Sequence, residues 1–300
     1  MSLLRIMRKY SQLVSIGMPV YNGEKFIRQS LNSLIEQDYI SFELIISDNA
    51  STDNTKSICL EYANRDSRIK YVCNATNEGA VKNFSKVLDI ASGEYFMWAA
   101  YDDLWEPEYI STLLDILCKE DKAVISFSMF NSIDLNNNEI TSYPHILDIP
   151  DDDLFQRLSN YLNQFESLGK ANPIYGLMRK KFTKQAFAST SHFLINDVWG
   201  SDMLFVFKLL SLGKFIVEPK TLFHKRILPE SPSVNTKEDW DSYFKGYDYL
   251  ITRIVDLSHI QKQKLLRQVW DRKMSRRIKL PKRILQQTKN IITQRIKSFL

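Results

Sequence analysis

The sequence predicts an α/β fold, with a mainly parallel central sheet flanked by helices and a helical, basic C-terminal extension. Three observations lead to it. Short apolar runs alternate with helical patterns over the first 130 residues, as in successive β-α-β units with right-handed crossovers. Polar clusters rich in Asn, Asp and Ser follow four successive apolar runs. The charge balance changes near residue 258: of 40 Lys and Arg, 13 lie between Gln261 and Leu300, where Asp271 is the single acid.

The elements follow in order. LVSIGMP (13–19) reads as a buried strand, and 24–37 as a helix with Phe26, Ile27, Leu31, Leu34 and Ile35 on one face. FELIIS (42–47) is a second strand, Asp53 to Asn64 a helix after an Asn/Ser-rich turn, and RIKYVC (68–73) a third strand. A helix over 80–91 and a strand, EYFMWA (94–99), complete the alternation. Pro107 then stands near the start of another helix, where its fixed φ is favourable.

Beyond residue 130 the pattern weakens. NSIDLNNNEITS is an Asn-rich hairpin or loop, Asp151 to Leu168 and Ser201 to Leu212 read as helices, and 237–258 reads as another. KFIVE (214–218) and TLFHKR (221–226) read as two strands joined at Pro219. The expected division is a main domain over 1–258, with a nucleotide-binding part at 12–130 and an acceptor part at 131–235, then the extension over 259–300.

Composition excludes several classes. Of 300 residues 44% are apolar, enough for a sizeable core. Cys59, Cys73 and Cys118 are odd in number and form no CxxC, which argues against a disulfide framework or zinc site and suits a reducing cytosol. No run approaches the ~18 apolar residues of a membrane span, and no apolar stretch follows the basic N-terminus.

In open α/β sheets ligands bind beyond the carboxyl ends of the strands. PVYNGE (19–24), SDNASTDN (47–54), NATNEG (74–79) and YDD (101–103) would all lie there. Asp102 and Asp103 follow an apolar strand directly, so either they are solvated at a turn or a cation offsets them. No GxGxxG and no P-loop is present to cradle phosphate. A divalent metal, Mn²⁺ or Mg²⁺, carrying a nucleotide diphosphate is the partner the two acids suit.

VSIGMPVYNGEKFIRQSLNSLIEQDY, ELIISDNASTDNT, NEGAVKNFSKVLDIASGEYFMWAAYDDLWEPE and GSDMLFVFKLLSLGKF together resemble the family-2 glycosyltransferases of GT-A fold. The resemblance spans roughly residues 12 to 233. It implies that Pro19, Tyr21 and Glu24 line a nucleotide pocket, with Asp48 and Ser51 at the base. It places Asn77, Gly79, Lys82 and Asn83 in a segment over the sugar nucleotide, and Tyr101 and Asp102 among the residues that bind it. Asp102 and Asp103 match the metal-binding acids, although Ala100 stands where another acid is common; Asp102 is the expected ligand, with Asp103 assisting. Asp202 matches the general base of an inverting transferase. At a helix N-terminus its pKa is expected to fall. His224 is a further candidate for the metal shell, with Leu228 where a histidine is often found.

Plainer readings stand beside these. Asp48 and Asp53 can cap the next helix, Asp202 can be an ordinary first-turn acid, and His224 can be structural. A non-catalytic sugar-nucleotide-binding or partner-binding protein on the same fold is the rival suggested by Ala100. The resemblance further implies a nucleotide-diphosphate sugar donor, UDP-linked by preference, and a glycan or lipid-linked acceptor in bacterial surface-polysaccharide assembly. The expected location is cytoplasmic, peripheral at the inner face of the plasma membrane. From Pro281 the tail reads as a helix with Leu285, Ile292, Ile296 and Phe299 among Lys282, Arg283, Lys289, Arg295 and Lys297. Such a helix suits an anionic membrane surface, or packs on the body; no module supports nucleic-acid binding.

Overall fold

The computed structural model describes residues 12–143, 149, 151–195, 199–229 and 238–277. Three βα units and a fourth strand come first: β1 (Val14–Val20), α1 (Ile27–Ile35), β2 (Phe42–Asp48), α2 (Thr55–Arg65), β3 (Ile69–Cys73), α3 (Ala80–Ile90) and β4 (Tyr95–Trp98). Then come β5 (Leu104–Trp105), α4 (Tyr109–Lys119), β6 (Ala123–Ile133), β7 (Glu139–Tyr143), α5 (Leu154–Asn163), β8 (Leu177–Arg179), α6 (Lys180–Ile195), α7 (Ser201–Leu210), β9 (Lys214–Arg226), α8 (Trp240–Thr252) and α9 (His259–Arg277). Two 3₁₀ turns, Glu166–Leu168 and Asn172–Tyr175, lie between α5 and β8.

One nine-stranded sheet runs β3-β2-β1-β4-β8-β6-β9-β5, with β7 on β6. β3, β2, β1 and β4 are mutually parallel, as are β6 and β9, while β5, β7 and β8 pair antiparallel. β1 and β2 are buried along their whole length, as expected of parallel strands covered on both faces. α1 buries Ile27, Leu31 and Leu34 against them. α3 comes so close to β1 that a Cβ on Gly17 would lie 2.7 Å from Val87, which leaves glycine as the residue that fits.

The later half departs from the sequence pattern at identifiable places. KFIVE and TLFHKR form one continuous strand, because β9 bulges against β6 near Ser128 and Met129 and so accommodates Pro219. β6, β8 and α6 carry no clear periodic signature in the sequence and were not anticipated. The Asn-rich stretch is the β6–β7 hairpin, closed by Asn138 N–H donating to the Asp134 carboxylate at 2.9 Å. α9 begins at His259 and packs Leu265 and Val269 into the body; the helix expected from Pro281 lies outside the described residues.

At the N-terminal edge of the parallel strands, Glu43 is a staple. Its carboxylate accepts from Ser15 Oγ on β1 (2.6 Å), Lys70 Nζ on β3 (2.6 Å) and Ser92 N–H before β4 (2.7 Å). Burial alone would raise its pKa; the Lys70, Ser15 and Ser92 hydrogen bonds outweigh that and pull it down to about 2 from 4.5. A carboxylate depressed on folding adds stability that is complete above its unfolded value and is lost as pH falls from about 4.5 toward 2. Lys70 is mostly exposed, which screens part of the gain. We therefore expect Glu43→Gln to destabilise by about 2 kcal/mol at pH 7. In urea unfolding the gap to the parent chain should close between pH 4.5 and 2; a gap constant with pH would remove Glu43 from this role.

Candidate active site

Strand register brings the four polar clusters to one rim. Val20 pairs with Asp48, Asp48 with Cys73, and Gly17 with Trp98, so β1 to β4 end at the same edge. The first two loops are fastened to each other. Asn22 N–H donates to Ser51 Oγ (2.9 Å), Thr52 N–H to Asn22 Oδ1 (2.9 Å), Gly23 N–H to Thr55 Oγ1 (2.8 Å) and Asn54 N–H to Glu24 Oε2 (2.8 Å). Asn22 and Ala50 hold positive φ, 52° and 61°. For Ala50 that costs about 1 kcal/mol or more, the kind of strain that a rim held open for a ligand carries.

The candidate nucleotide residues divide by placement. Tyr21 is 42% exposed on the rim, and Tyr101, half-buried, stands over Gly23, where a Cβ would meet its ring at 2.8 Å. Pro19 is buried within β1. Glu24 turns its carboxylate to Asn54, fastening two loops. Asp48 is fully buried, accepting from Ser51 N–H (2.8 Å) and Tyr71 O–H (2.7 Å). Asn83 bonds Ser47 through both its side-chain atoms and so anchors α3 to β2. Asn77 and Gly79 are exposed at the mouth of α3; Asn77 Oδ1 accepts from Asn49 Nδ2 (2.7 Å) and Gly79 N–H (2.9 Å). Lys82 is exposed one turn on. A cavity of about 300 Å³ opens beside Asn22, Gly23, Lys25, Tyr101 and Leu228.

The acid loop rests on a buried arginine. Arg226 donates from Nε to the Asp102 carbonyl (2.8 Å), and from its terminal nitrogens to the Asp134 carbonyl (2.7 Å), Asn137 Oδ1 (2.7 Å) and Gln29 Oε1 (3.1 Å). Its own N–H binds Asp103 Oδ1 at 2.8 Å. Asp103 is thus turned inward, 2% exposed, while Asp102 is half-buried and its carboxylate finds no side-chain partner among the described residues. Burial raises the pKa of Asp102, and burial together with the Asp102 charge raises that of Asp103 well above the carboxylate range. The Lys225 and Arg226 charges only partly oppose this.

Two crowded carboxylates with one unpartnered face fit a dication that takes one or two protein ligands and completes its shell with water and phosphate oxygens. Among the described residues no group of three or more His, Cys, Asp or Glu gathers to hold a metal. His224 pairs across the sheet with Leu104, next to Asp103, and both of its ring nitrogens are engaged, Nδ1 with Asn131 Oδ1 (2.6 Å) and Nε2 with Glu106 Oε1 (2.9 Å).

Asp202 opens α7 behind Gly200, whose φ of 76° makes the turn. Its Oδ1 accepts from Met203 N–H at 2.7 Å. The expectation of a lowered pKa is overturned: burial raises it and outweighs the helix N–H and the Lys225 charge. Lys225 and Arg226 escaped the sequence reading, which examined TLFHKR for its histidine alone. Strand alternation was the available signal, since it sends neighbours 225 and 226 to opposite faces. The Lys225 ammonium acts on Asp102, Asp103 and Asp202 alike, and the partly buried Tyr175 feels all three acids, so the three lie within electrostatic reach of one cation.

Comparison with known proteins agrees with this arrangement. Residues 15–187, more than half the chain, match the family model described as Glycosyl transferase family 2. The Escherichia coli UDP-Glc:alpha-D-GlcNAc-diphosphoundecaprenol beta-1,3-glucosyltransferase WfgD is 37% identical over 128 residues, covering 43% of this chain and 49% of that enzyme. Glycosyltransferase GlyA of Streptococcus pneumoniae serotype 4 is 31% identical over 155 residues, 52% of this chain and 21% of GlyA. The chain thus spans half or less of the length of these curated relatives. S. aureus TarS 1–349 in complex with UDP-GlcNAc has a similar fold, with a TM-score of 0.65 at 20% identity over 88% of this chain and 73% of that one. The mannosyltransferase PcManGT from Pyrobaculum calidifontis, in complex with GDP-Man and Mn²⁺, gives 0.53 at 14% identity over 94% and 80%. At such identities the likeness establishes the architecture, which is GT-A. By sheet order, rim and family match together, the chain belongs to glycosyl transferase family 2.

Proposed function

We propose that the protein is an inverting glycosyltransferase that moves a sugar from a UDP-sugar to a hydroxyl of a glycan or lipid-linked acceptor in surface-polysaccharide synthesis. One observation carries the reading: Asp102 and Asp202, brought from separate parts of the chain, both lie within reach of the Lys225 charge. The relative acting on a diphosphoundecaprenol-linked sugar and the fold neighbour in complex with UDP-GlcNAc support donor and acceptor class.

Asp202 has one oxygen occupied by Met203 N–H and the other left to receive the acceptor's proton. As the acceptor oxygen bonds to the anomeric carbon, the bond from that carbon to the diphosphate breaks on the opposite face, which inverts the centre. A carboxylate whose pKa burial has raised is a better base for this transfer than an ordinary one. Asp102, with Asp103 behind it, would hold Mn²⁺ or Mg²⁺, whose charge stabilises the departing diphosphate. Lys225 Nζ, now donating to Asn172 Oδ1 at 2.8 Å, is placed to meet the same diphosphate.

No helix among the described residues is long and apolar enough to cross a membrane. The basic tail, together with exposed Ile260 and Trp270 beside Lys264 and Arg267 on α9, supports peripheral attachment to an anionic surface.

With UDP-sugars, Mn²⁺ and a lipid-linked acceptor, Asp202→Asn should reduce turnover by roughly 10²–10⁴-fold while changing UDP affinity less than about twofold. Unchanged turnover would dismiss Asp202 as the base, and no UDP binding by the parent chain would dismiss the transferase reading. Lys225→Met should weaken UDP binding about tenfold in calorimetry and leave uridine binding alone; equal losses for both ligands would point to a structural role instead. Removing residues 280–300 should lower co-sedimentation with phosphatidylserine vesicles, and undiminished binding would count against the tail.

A further inference from the structure

A second cavity, of about 190 Å³, opens beside Asp202. Val81 and Phe84 of α3, Trp98 at the tip of β4, Ile174 and Phe205 line it together with Asp202. It thus joins the proposed base to the stretch of α3 in which Val81 and Phe84 flank Lys82 and Asn83, and to the end of the strand that leads into the acid loop. Its wall is poor in hydrogen-bonding groups. The Trp98 indole N–H is spent on the Phe84 carbonyl at 3.1 Å. The Tyr175 hydroxyl and Asp202 are the polar groups that remain. The shape is held by ring packing, Trp98 meeting Phe205 edge-on at 5.4 Å and Phe96 at 4.9 Å between centroids.

We propose that this cavity is a donor-sugar subsite that selects a sugar bearing an apolar substituent, the methyl of an N-acetyl group or of a 6-deoxy sugar, over a fully hydroxylated hexose. The inference rests on the sugar-nucleotide reading and adds to it the class of sugar. A methyl placed against Val81, Phe84 and Phe205 gains burial and dispersion contacts. A hydroxyl at the same place gives up water and finds aromatic carbon, a loss that discriminates between otherwise identical sugars. Asp202 does not relieve the mismatch, since its free oxygen is directed to the acceptor.

The test is equilibrium binding of the full chain, with Mn²⁺, to UDP, UDP-glucose, UDP-N-acetylglucosamine and a UDP-6-deoxyhexose. UDP sets the baseline: if UDP itself does not bind, the nucleotide reading fails and this subsite with it. Where UDP binds, the N-acetyl or the deoxy donor should bind about tenfold or more tighter than UDP-glucose. Val81→Thr, which swaps a methyl for a hydroxyl at constant shape, should shrink that ratio severalfold. Ile174→Thr also puts a hydroxyl on the lining, in a side chain one carbon shorter, and serves if the first variant does not fold. Equal affinities for all three sugar donors, or a ratio unmoved by both variants, would overturn the subsite while leaving the nucleotide reading standing. A preference that Val81→Thr alters for acceptor sugars and not for donors would overturn it equally.

Discussion

The site depends on one buried guanidinium. Arg226 is 3% exposed, and its side-chain hydrogen bonds go to neutral acceptors: two backbone carbonyls and the side-chain oxygens of Gln29 and Asn137. None of those bonds neutralises it, so its charge acts on the neighbouring acids instead, lowering the cost of keeping Asp102 and Asp103 out of water. Planarity matters here as much as charge. The fork reaches the acid loop, the β6–β7 turn and α1 at once and lies 4.6 Å from the Phe26 ring, a geometry a lysine cannot reproduce. Arg226 underpins the loop while Lys225, one residue earlier, reaches Asn172 and acts on Asp102, Asp103 and Asp202. A single strand thus supplies two cations with different tasks, because a β-strand alternates.

The two edges of the parallel strands are built on opposite terms. At the amino ends Glu43 joins β1, β2, β3 and the approach to β4 through one satisfied carboxylate. At the carboxyl ends the chain accepts left-handed backbone at Asn22, Ala50 and Gly79 and leaves Asp102 without a side-chain partner. Strain and unmet charge at one edge are tolerable because the other is fastened and the core between them is closely packed. This division places the reactive groups where the sheet holds them in position without covering them.

Much of this was legible in the sequence, and what was not has physical reasons. The first three βα units and the fourth strand declare themselves because apolar runs and helical faces alternate cleanly there. β6, β8 and α6 do not: Ser126 and Ser128 interrupt a buried strand, three-residue β8 is too short to show a period, and α6 mixes apolar and polar residues around its surface. Pro219 read as a break because a bulge is a property of two strands together, and a single sequence shows one. The same limit holds at the site. Adjacent acids after an apolar run pointed to Asp102 and Asp103, and the family resemblance to Asp202, but only packing reveals that Asp103 turns inward, that Glu24 and Asn83 fasten elements together, and that burial defeats the helix terminus at Asp202.

Charge counting in the extension needed the same refinement. Its surplus read as uniform, yet part of it is consumed on the body. Arg272 and Arg276 close on Glu166 at 2.7 and 2.6 Å, and Lys273 meets Asp241 at 2.7 Å. Glu166 in turn faces Lys170 at 3.8 Å, a lysine whose pKa burial pushes down to about 7 and which sits against the Tyr161 and Tyr247 rings. From Lys170 the chain runs directly into the turn bearing Asn172, the residue that holds Lys225. α9 therefore braces, through ion pairs to the buried Glu166 carboxylate, the segment that leads to the partner of Lys225, and removing Glu166 from beside the buried Lys170 is far costlier than removing an exposed pair. The cations left on the outer face of α9, Lys264 and Arg267 beside Trp270, are those with no such duty, and it is they, with the tail beyond, that give the extension its basic surface.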